Sequence, residues 1–199
     1  MFDFIIKKLQ QRHLRNFINR QRDKRIENWE QIKTIGLIFT VGDADHWNLI
    51  HRFITAQESR GKEVYLLGFQ ANKYEINYIF SHTRTTICHE KEDFNSMGLP
   101  KEGVIDGFTC RHYDLVIDTT IQPNFFGKYV SAMTDADMRV AYTNIESEVD
   151  EGPMEMYDLT IQGHEEMDFR DFIEQIVKYL MLIKKPITDS SNSLETVSD

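Results

Sequence analysis

Short apolar runs alternate along this chain with longer segments whose apolar residues recur at helical spacing. The clearest short run is Leu115-Val116-Ile117, which is rich in β-branched residues and is flanked by the carboxylates Asp114 and Asp118. A run of this kind is typical of a strand that is buried on both faces of a parallel sheet. Similar runs predict further strands at residues 34–40, 63–68, 85–89 and 138–142, and an alternating edge strand at 157–162.

The segments between these runs predict helices. In residues 168–185, apolar side chains recur at regular helical spacing after Asp168, which is a good N-cap, and Pro186 ends the pattern. Further helices are expected at residues 43–61 and 123–133, with short ones within 70–80 and 101–110. The alternation predicts an α/β fold, a doubly wound, mostly parallel Rossmann-like sheet of five or six strands with helices on both faces.

A long N-terminal helix is expected to precede this domain. Residues 2–29 contain no Pro or Gly, and their apolar residues form a stripe that thins toward the end. The stripe comprises Phe2, Ile5, Ile6, Leu9, Leu14, Phe17 and Ile18. The predicted organisation is therefore a basic amphipathic helix over residues 1–30, the α/β domain over 31–186 and a disordered polar tail over 187–199.

The net charge of −9 is distributed unevenly along the chain. Residues 1–28 carry eight basic and three acidic side chains, a net +5, so residues 29–199 carry −14. Most of such a surface repels phosphate, which excludes bulk nucleic-acid binding. We expect the apolar stripe of the N-terminal helix to pack on its own domain, on a protein partner or on a second copy of the chain. We favour this over peripheral contact of residues 1–28 with an anionic membrane or RNA.

The cysteine content and the lack of long apolar segments predict a cytoplasmic protein. Two cysteines allow at most one disulfide, which a chain of 199 residues with 41% hydrophobic residues does not need. No segment approaches the ~18 consecutive apolar residues of a transmembrane helix. The initial apolar run meets Lys7 and Lys8 too early for a secretory signal.

Polar residues follow two of the predicted strands at the sheet edge where ligands usually bind in open α/β folds. They are Asp43, Asp45, His46, Asp118, Thr119 and Thr120. Carboxylates and an imidazole at such an edge could bind a divalent cation or exchange protons with a substrate. The same residue types also favour helix caps and loop turns irrespective of function, and we expect that structural role to dominate. We therefore assign these six as candidate ligand-binding residues and name no catalytic residue.

Other motifs do not support a metal, a cofactor or a nucleophile. Cys88-His89 and Cys110-x-His112 contain zinc-type ligands, but adjacent residues of a strand point to opposite faces and cannot share an ion. Cys110 and His112 also lack an oxyanion or orienting motif for nucleophilic catalysis. Gly42 stands alone where a dinucleotide fingerprint requires three spaced glycines, and the Walker pattern is absent. We predict no metal site and no cofactor.

Two motifs carry a resemblance to known families. Asp93-Phe94-Asn95 with Gly98 and Pro100, followed by the strand at 113–118, resembles small uncharacterised α/β proteins from Bacteroides-type bacteria over residues 33–185. These proteins form a family classed as a domain of unknown function. More remotely, that strand with the following helix and strand is similar to the N-terminal, acceptor-side half of heptosyltransferase-like glycosyltransferases. Those enzymes bind the nucleotide-sugar in a second domain that has no counterpart here, so the resemblance implies the fold and argues against activity.

Together these observations favour a non-catalytic module that binds a small ligand or a protein partner at the strand-end cleft. The alternative is an enzyme that acts on a sugar or a phosphorylated metabolite with Asp118 or Asp43 as the base. The two hypotheses differ in one structural feature. Polar groups that converge on both carboxylates in a pocket favour the enzyme, whereas side chains tied into local caps favour the binding module.

Overall fold

Six parallel strands form a single sheet in the computed structural model, which describes residues 2–18, 22–71, 82–120, 125–144, 156–163 and 168–183. The strands are β1 (Thr34–Thr40), β2 (Glu63–Gln70), β3 (Thr85–His89), β4 (His112–Asp118), β5 (Asp135–Asn144) and β6 (Leu159–Gly163). Their spatial order is β3-β2-β1-β4-β5-β6, and every neighbouring pair is parallel. This is the doubly wound Rossmann order, and it confirms the predicted fold class.

Five helices accompany the sheet in the described part of the chain. They are α1 (Phe2–Ile18), α2 (Ala44–Glu58), α3 (Asp106–Thr109), α4 (Phe125–Met133) and α5 (Phe169–Met181). Asp168 caps α5, as predicted, and Asp43 rather than Asp45 caps α2, because each of the two capping side chains accepts a hydrogen bond from a backbone N–H in the first turn. Gly61, with φ of 79°, turns the chain from α2 toward β2.

The alternation of side chains along β4 separates the core into two halves. Leu115 and Ile117 lie in one apolar cluster with residues of α2 and α5. Val116 lies in a second cluster with residues of α3 and α4. All three side chains have no exposed surface, so β4 is buried on both faces as its sequence predicts.

The N-terminal helix is shorter than the sequence pattern predicts. It ends at Ile18 instead of Trp29, and residues 22–28 are not helical. A continuous helix over residues 2–29 would extend for about 42 Å and carry its end away from the sheet. The chain instead returns to the sheet edge, where Arg22 forms an ion pair with the buried carboxylate of Asp158 and Trp29 is 2% exposed. These tertiary contacts override the local helix propensity.

Helix α1 packs on the face that carries α4, and its own domain is one of the three surfaces that we expected to receive its apolar stripe. Leu14 is 1% exposed and shares a cluster with Ala132, Met156 and Tyr157. Leu9, one and a half turns earlier on the helix, is 39% exposed. Among the described side chains of the stripe, Leu14 alone is buried, whereas Ile6, Phe17 and Ile18 are half-buried.

Several other predictions differ from the structure in extent. Helix α3 occupies only four residues of the segment 101–110, and β5 extends beyond the predicted 138–142 at both ends. Strand β6 lies at the edge of the sheet, as predicted. Most of the helix predicted within 70–80, residues 145–155 and the tail 187–199 lie outside the described residues.

The buried position of Leu14 generates a test of the α1 contact. We expect Leu14→Ala to lower the free energy of unfolding by about 3 kcal/mol, because it deletes a fully buried side chain and leaves a cavity. Leu9→Ala is the matched control on the same helix and should cost less than about 1 kcal/mol. Urea denaturation measures both values, and equal effects of the two substitutions would contradict the packing of α1 on α4.

Candidate functional site

The carboxyl ends of β1 and β4 adjoin at the point where the strand order reverses, which is the expected position of a site in this fold. After β1 the chain enters α2, and Asp43 Oδ1 accepts a hydrogen bond of 2.8 Å from the backbone N–H of His46. Asp45 lies exposed in the first turn of α2. Asp43 therefore acts as a helix cap, the structural role that we weighed against ligand binding.

The imidazole of His46 packs into the protein and does not project from this edge. Its ring lies edge-on to Phe169 at a centroid distance of 6.1 Å. On the other side, a Cβ at Gly42 would lie 2.6 Å from His46 Nδ1, so the loop backbone is packed closely on the ring. Burial lowers the pKa of His46, and the Asp43 carboxylate raises it by a smaller amount. The neutral imidazole is therefore the favoured form at neutral pH.

Asp118, at the end of β4, is only 3% exposed, and both of its carboxylate oxygens accept hydrogen bonds from the chain. Oδ1 accepts from the backbone N–H of Thr120 at 3.0 Å and from the Thr120 hydroxyl. Oδ2 accepts from the Tyr157 hydroxyl at 2.6 Å. Burial raises the pKa of Asp118, against the hydrogen bonds from Thr120 and Tyr157, which lower it.

The structure does not bring the six predicted site residues together. Because successive side chains of a strand point to opposite faces, Asp118 lies on the α4 face, and Gly127 of α4 packs against its carboxylate. Asp43, Asp45 and His46 belong to α2, on the other face. The Thr119 hydroxyl donates to the Ile38 carbonyl of β1 at 2.9 Å. Asp118 and Thr120 thus form one group with Tyr157, separate from the three residues of α2.

Sequence reasoning missed the two residues that complete the Asp118 group. Tyr157 lies 39 residues further along the chain, and no spacing rule links it to Asp118. Gly127 lies within α4, where a glycine is unfavourable relative to alanine and can indicate a packing constraint. A Cβ at Gly127 would lie 2.5 Å from Asp118 Oδ2 and 2.6 Å from Thr120 Oγ1. The glycine therefore provides the space in which the carboxylate lies.

A second missed feature is a groove of about 560 Å³ between α2 and α5. Its apolar lining comprises Leu49, Phe53, Phe169, Ile173 and Val177. Each helix was predicted correctly, but the space between two helices depends on where the sheet places them. We call this feature the α2–α5 groove.

The two cysteine–histidine pairs lie toward opposite ends of the sheet. Cys88 is buried near the carboxyl end of β3, whereas Cys110 is exposed just before the amino end of β4. Both cysteines are free. Burial raises the pKa of the Cys88 thiol to about 12, so its reactive thiolate is disfavoured.

A cluster at the amino edge of the sheet is the one group of described residues with a geometry that could hold a metal ion. It consists of His112, Asp114 and Asp137. Asp114 Oδ2 already accepts hydrogen bonds from the backbone N–H groups of Lys33 and Thr34, at 2.6 and 2.8 Å. His112 lies between carboxylates, with Nδ1 at 3.0 Å from Asp135 and Nε2 at 3.4 Å from Asp137. These contacts are those of an imidazolium paired with carboxylates.

None of the helices in the described ranges combines the length and the apolarity that crossing a bilayer requires.

The contact between Gly127 and Asp118 predicts that replacing this helical glycine by alanine lowers the stability of the protein, which is the opposite of the usual effect. Alanine normally stabilises a helix interior by about 1 kcal/mol relative to glycine. We expect Gly127→Ala to destabilise the protein by about 2 kcal/mol, because the new methyl group collides with a buried carboxylate. Gly107→Ala in α3 is the control, since the nearest atom to its Cβ lies at 4.0 Å. A stabilising effect of Gly127→Ala in urea denaturation would show that Asp118 is not packed in this way.

The His112 contacts predict a dependence of stability on pH. The hydrogen bond to Asp135 raises the pKa of His112 in the folded state, and Asp135, Asp137 and Asp114 add further attraction. The imidazolium therefore contributes stability that is fully present below its unfolded-state pKa of about 6.5 and is lost as the pH rises through the higher folded-state pKa.

We expect His112→Gln to cost about 0.5 kcal/mol near pH 6 and almost nothing near pH 8.5, since exposed ion pairs are weak. Urea denaturation at the two pH values measures this difference. Asp135→Asn removes the main hydrogen-bond acceptor of His112. This substitution should therefore also reduce the pH-dependent part of the free energy of unfolding. An equal cost of His112→Gln at both pH values would contradict the ion pairing.

Comparison with known proteins gives a family and a weak likeness to solved structures. The chain is similar to the catalytic domain of starch synthase IV from Arabidopsis thaliana bound to ADP and acarbose, at 15% identity and a TM-score of 0.37. The match covers 89% of this chain and 36% of that structure, so the chain spans about a third of its length. No curated protein matches the chain. The predicted Bacteroides-type source stays a prediction. Residues 3–183 match a family of unknown function (DUF6913), and the chain belongs to that family.

Proposed function

We propose that this protein is a non-catalytic cytoplasmic module that binds a small ligand. The observation that carries the proposal is the state of Asp118, the carboxylate at the switch point of the sheet. Both oxygens accept hydrogen bonds from Thr120 and Tyr157, and the residue is 3% exposed. A general base must reach the proton of a substrate within hydrogen-bond distance. A carboxylate enclosed in this way favours a structural role.

Asp43 supports the same conclusion from the other face of the sheet. Its side chain satisfies the His46 N–H, one of the donors that a helix N-terminus leaves without an intrahelical partner. Use of Asp43 as a base would withdraw this cap, at a cost of about 1 kcal/mol to α2. The polar side chains at the strand ends are thus tied into local structure, the arrangement that we associated with a binding module.

A small ligand is favoured over a protein partner by the dimensions of the α2–α5 groove. Its volume of about 560 Å³ lies within the range of ~300–1,000 Å³ that is common for small-molecule sites. Two free cysteines, one of them exposed at Cys110, are consistent with the reducing environment of the cytoplasm.

A thermal-shift screen followed by product analysis tests the proposal. The compounds are nucleotide sugars, sugar phosphates, divalent metals and small aromatic or aliphatic acids. A ligand at 100 times its Kd should stabilise the protein by about 2.7 kcal/mol and raise Tm by roughly 5–10 °C. We expect at least one organic compound to do so and to be recovered unchanged by mass spectrometry after prolonged incubation.

Asp43→Asn separates the two functional classes, because asparagine is as good an N-cap as aspartate but is not a base. For a binding module, the Tm increase caused by the ligand is the same in Asp43→Asn and in the neighbouring control Asp45→Asn. Conversion of a sugar or phosphorylated compound to product would overturn the proposal. Loss of that conversion in Asp43→Asn alone would identify this carboxylate as the base.

A further inference from the structure

The α2–α5 groove has an apolar interior that the sheet does not fill. Ile50 and Ile54 of α2 are at most 1% exposed and form part of the core with the sheet. Leu49 and Phe53, on the adjacent side of the helix, line the groove. Phe53 meets Phe169 of α5 edge-on at a centroid distance of 6.1 Å. The two helices therefore touch through their aromatic rings and leave a cleft beside that contact.

An unsatisfied amide group lies in this apolar interior. Gln57 lines the groove and is 5% exposed, and its Oε1 is buried without a hydrogen-bond partner in the described part of the chain. A buried acceptor that lacks a donor costs about 1–3 kcal/mol. Among the buried side-chain atoms of the described residues that lack a partner, Gln57 Oε1 is the one whose residue lines this groove. A ligand with an N–H or O–H group in the groove would supply the missing donor.

The rim of the groove carries positive charge on an acidic protein. Arg52, Arg170 and Lys178 line it together with a single carboxylate, Glu174. Glu174 accepts a hydrogen bond of 2.8 Å from Arg170, which leaves a net charge of about +2 from Arg52 and Lys178. The chain as a whole has a net charge of −9. A local excess of cations beside an apolar cleft attracts an anion.

We propose that the α2–α5 groove binds a small amphipathic anion, whose apolar body carries a hydrogen-bond donor for Gln57 and whose charged group meets Arg52 and Lys178. This inference rests on the proposed ligand-binding function and specifies its site and its ligand class. The volume of about 560 Å³ suits such a molecule.

Indole-3-propionate is the probe, because it combines an apolar bicycle, one N–H donor and a carboxylate. Isothermal titration calorimetry compares it with indole-3-propanol, which lacks the charge, and with the N-methyl derivative, which lacks the donor. We expect the neutral alcohol to bind at least about fivefold more weakly, and the N-methyl compound about five- to tenfold more weakly. Equal binding of all three compounds, or no binding of indole-3-propionate at millimolar concentration, would overturn the inference.

Matched variants locate the binding to the groove. Ala56→Trp fills the groove from an exposed position of α2 and should abolish binding, whereas Thr55→Trp, exposed on the same helix but outside the groove, should not. Arg52→Glu should weaken binding of indole-3-propionate about fivefold and leave the neutral alcohol unaffected. Arg60→Glu, which has the same change of charge outside the groove, should have no effect on either.

Binding measurements on a Gln57 variant distinguish a role in ligand recognition from a purely structural one. Gln57→Leu should weaken binding of indole-3-propionate but not of its N-methyl derivative, since only the former loses a hydrogen bond. The free variant should be at least as stable as the parent protein, because an unpaired buried acceptor has been removed. An equal loss of affinity for both compounds would contradict the predicted hydrogen bond.

Failure of this inference is distinguishable from failure of the proposed function. Ligands from the thermal-shift screen that still bind to Ala56→Trp would place the site elsewhere, and the binding module would stand without the groove. Turnover of a ligand would overturn the proposed function itself. A change in the oligomeric state of the free protein on Ala56→Trp, measured by analytical ultracentrifugation, would assign the groove to a second copy of the chain and overturn the small-anion inference.

Discussion

Strand β4 is paired on both edges and buried on both faces, and this constraint organises the rest of the structure. Leu115 pairs with Ile35 of β1 and with Met138 of β5, so β4 joins the two halves of the sheet. Parallel strands require crossover connections, which place helices on the faces. The apolar residues of β4 alternate between a layer of α2 and α5 and a layer of α3 and α4. Any polar residue at the end of β4 must therefore point into one of these layers.

Asp118 is the residue on which this constraint acts. The period of the strand directs its carboxylate toward α4, where burial would be costly without hydrogen bonds. Thr120 and Tyr157 supply these bonds, and Gly127 leaves the space. The network connects the end of β4 to the segment before β6 and to α4. The strongest candidate for a catalytic carboxylate thus has a complete structural explanation.

The sequence predicted those features that depend on local physical rules. Strand period, helical stripes and capping preferences predicted the sheet, α2, α5 and the cap at Asp168. It failed where distant residues meet, as in the ion pair of Arg22 with Asp158 beyond the end of α1 and the hydrogen bond of Tyr157 to Asp118. The alternation of side chains along β4 is by itself sufficient to predict that the candidate site residues are separated. Leu115 and Ile117 face α2, so Asp118 cannot.

The α2–α5 groove follows from the same geometry. Its dependence on the placement of two helices explains why the sequence pattern does not predict the proposed site. Gln57 interrupts no apolar stripe that periodicity could detect, and polar residues on a helix ordinarily face solvent. Only the position of α5 buries it. An unpaired buried amide lowers stability, and such local costs are expected mainly where function maintains them. At the end of β4, Asp118, Thr119 and Thr120 are engaged in structural hydrogen bonds, whereas Gln57 Oε1 between the helices is one of several buried atoms of the described residues without a partner. The proposed ligand site therefore lies in the helical layer and not at the edge of the sheet.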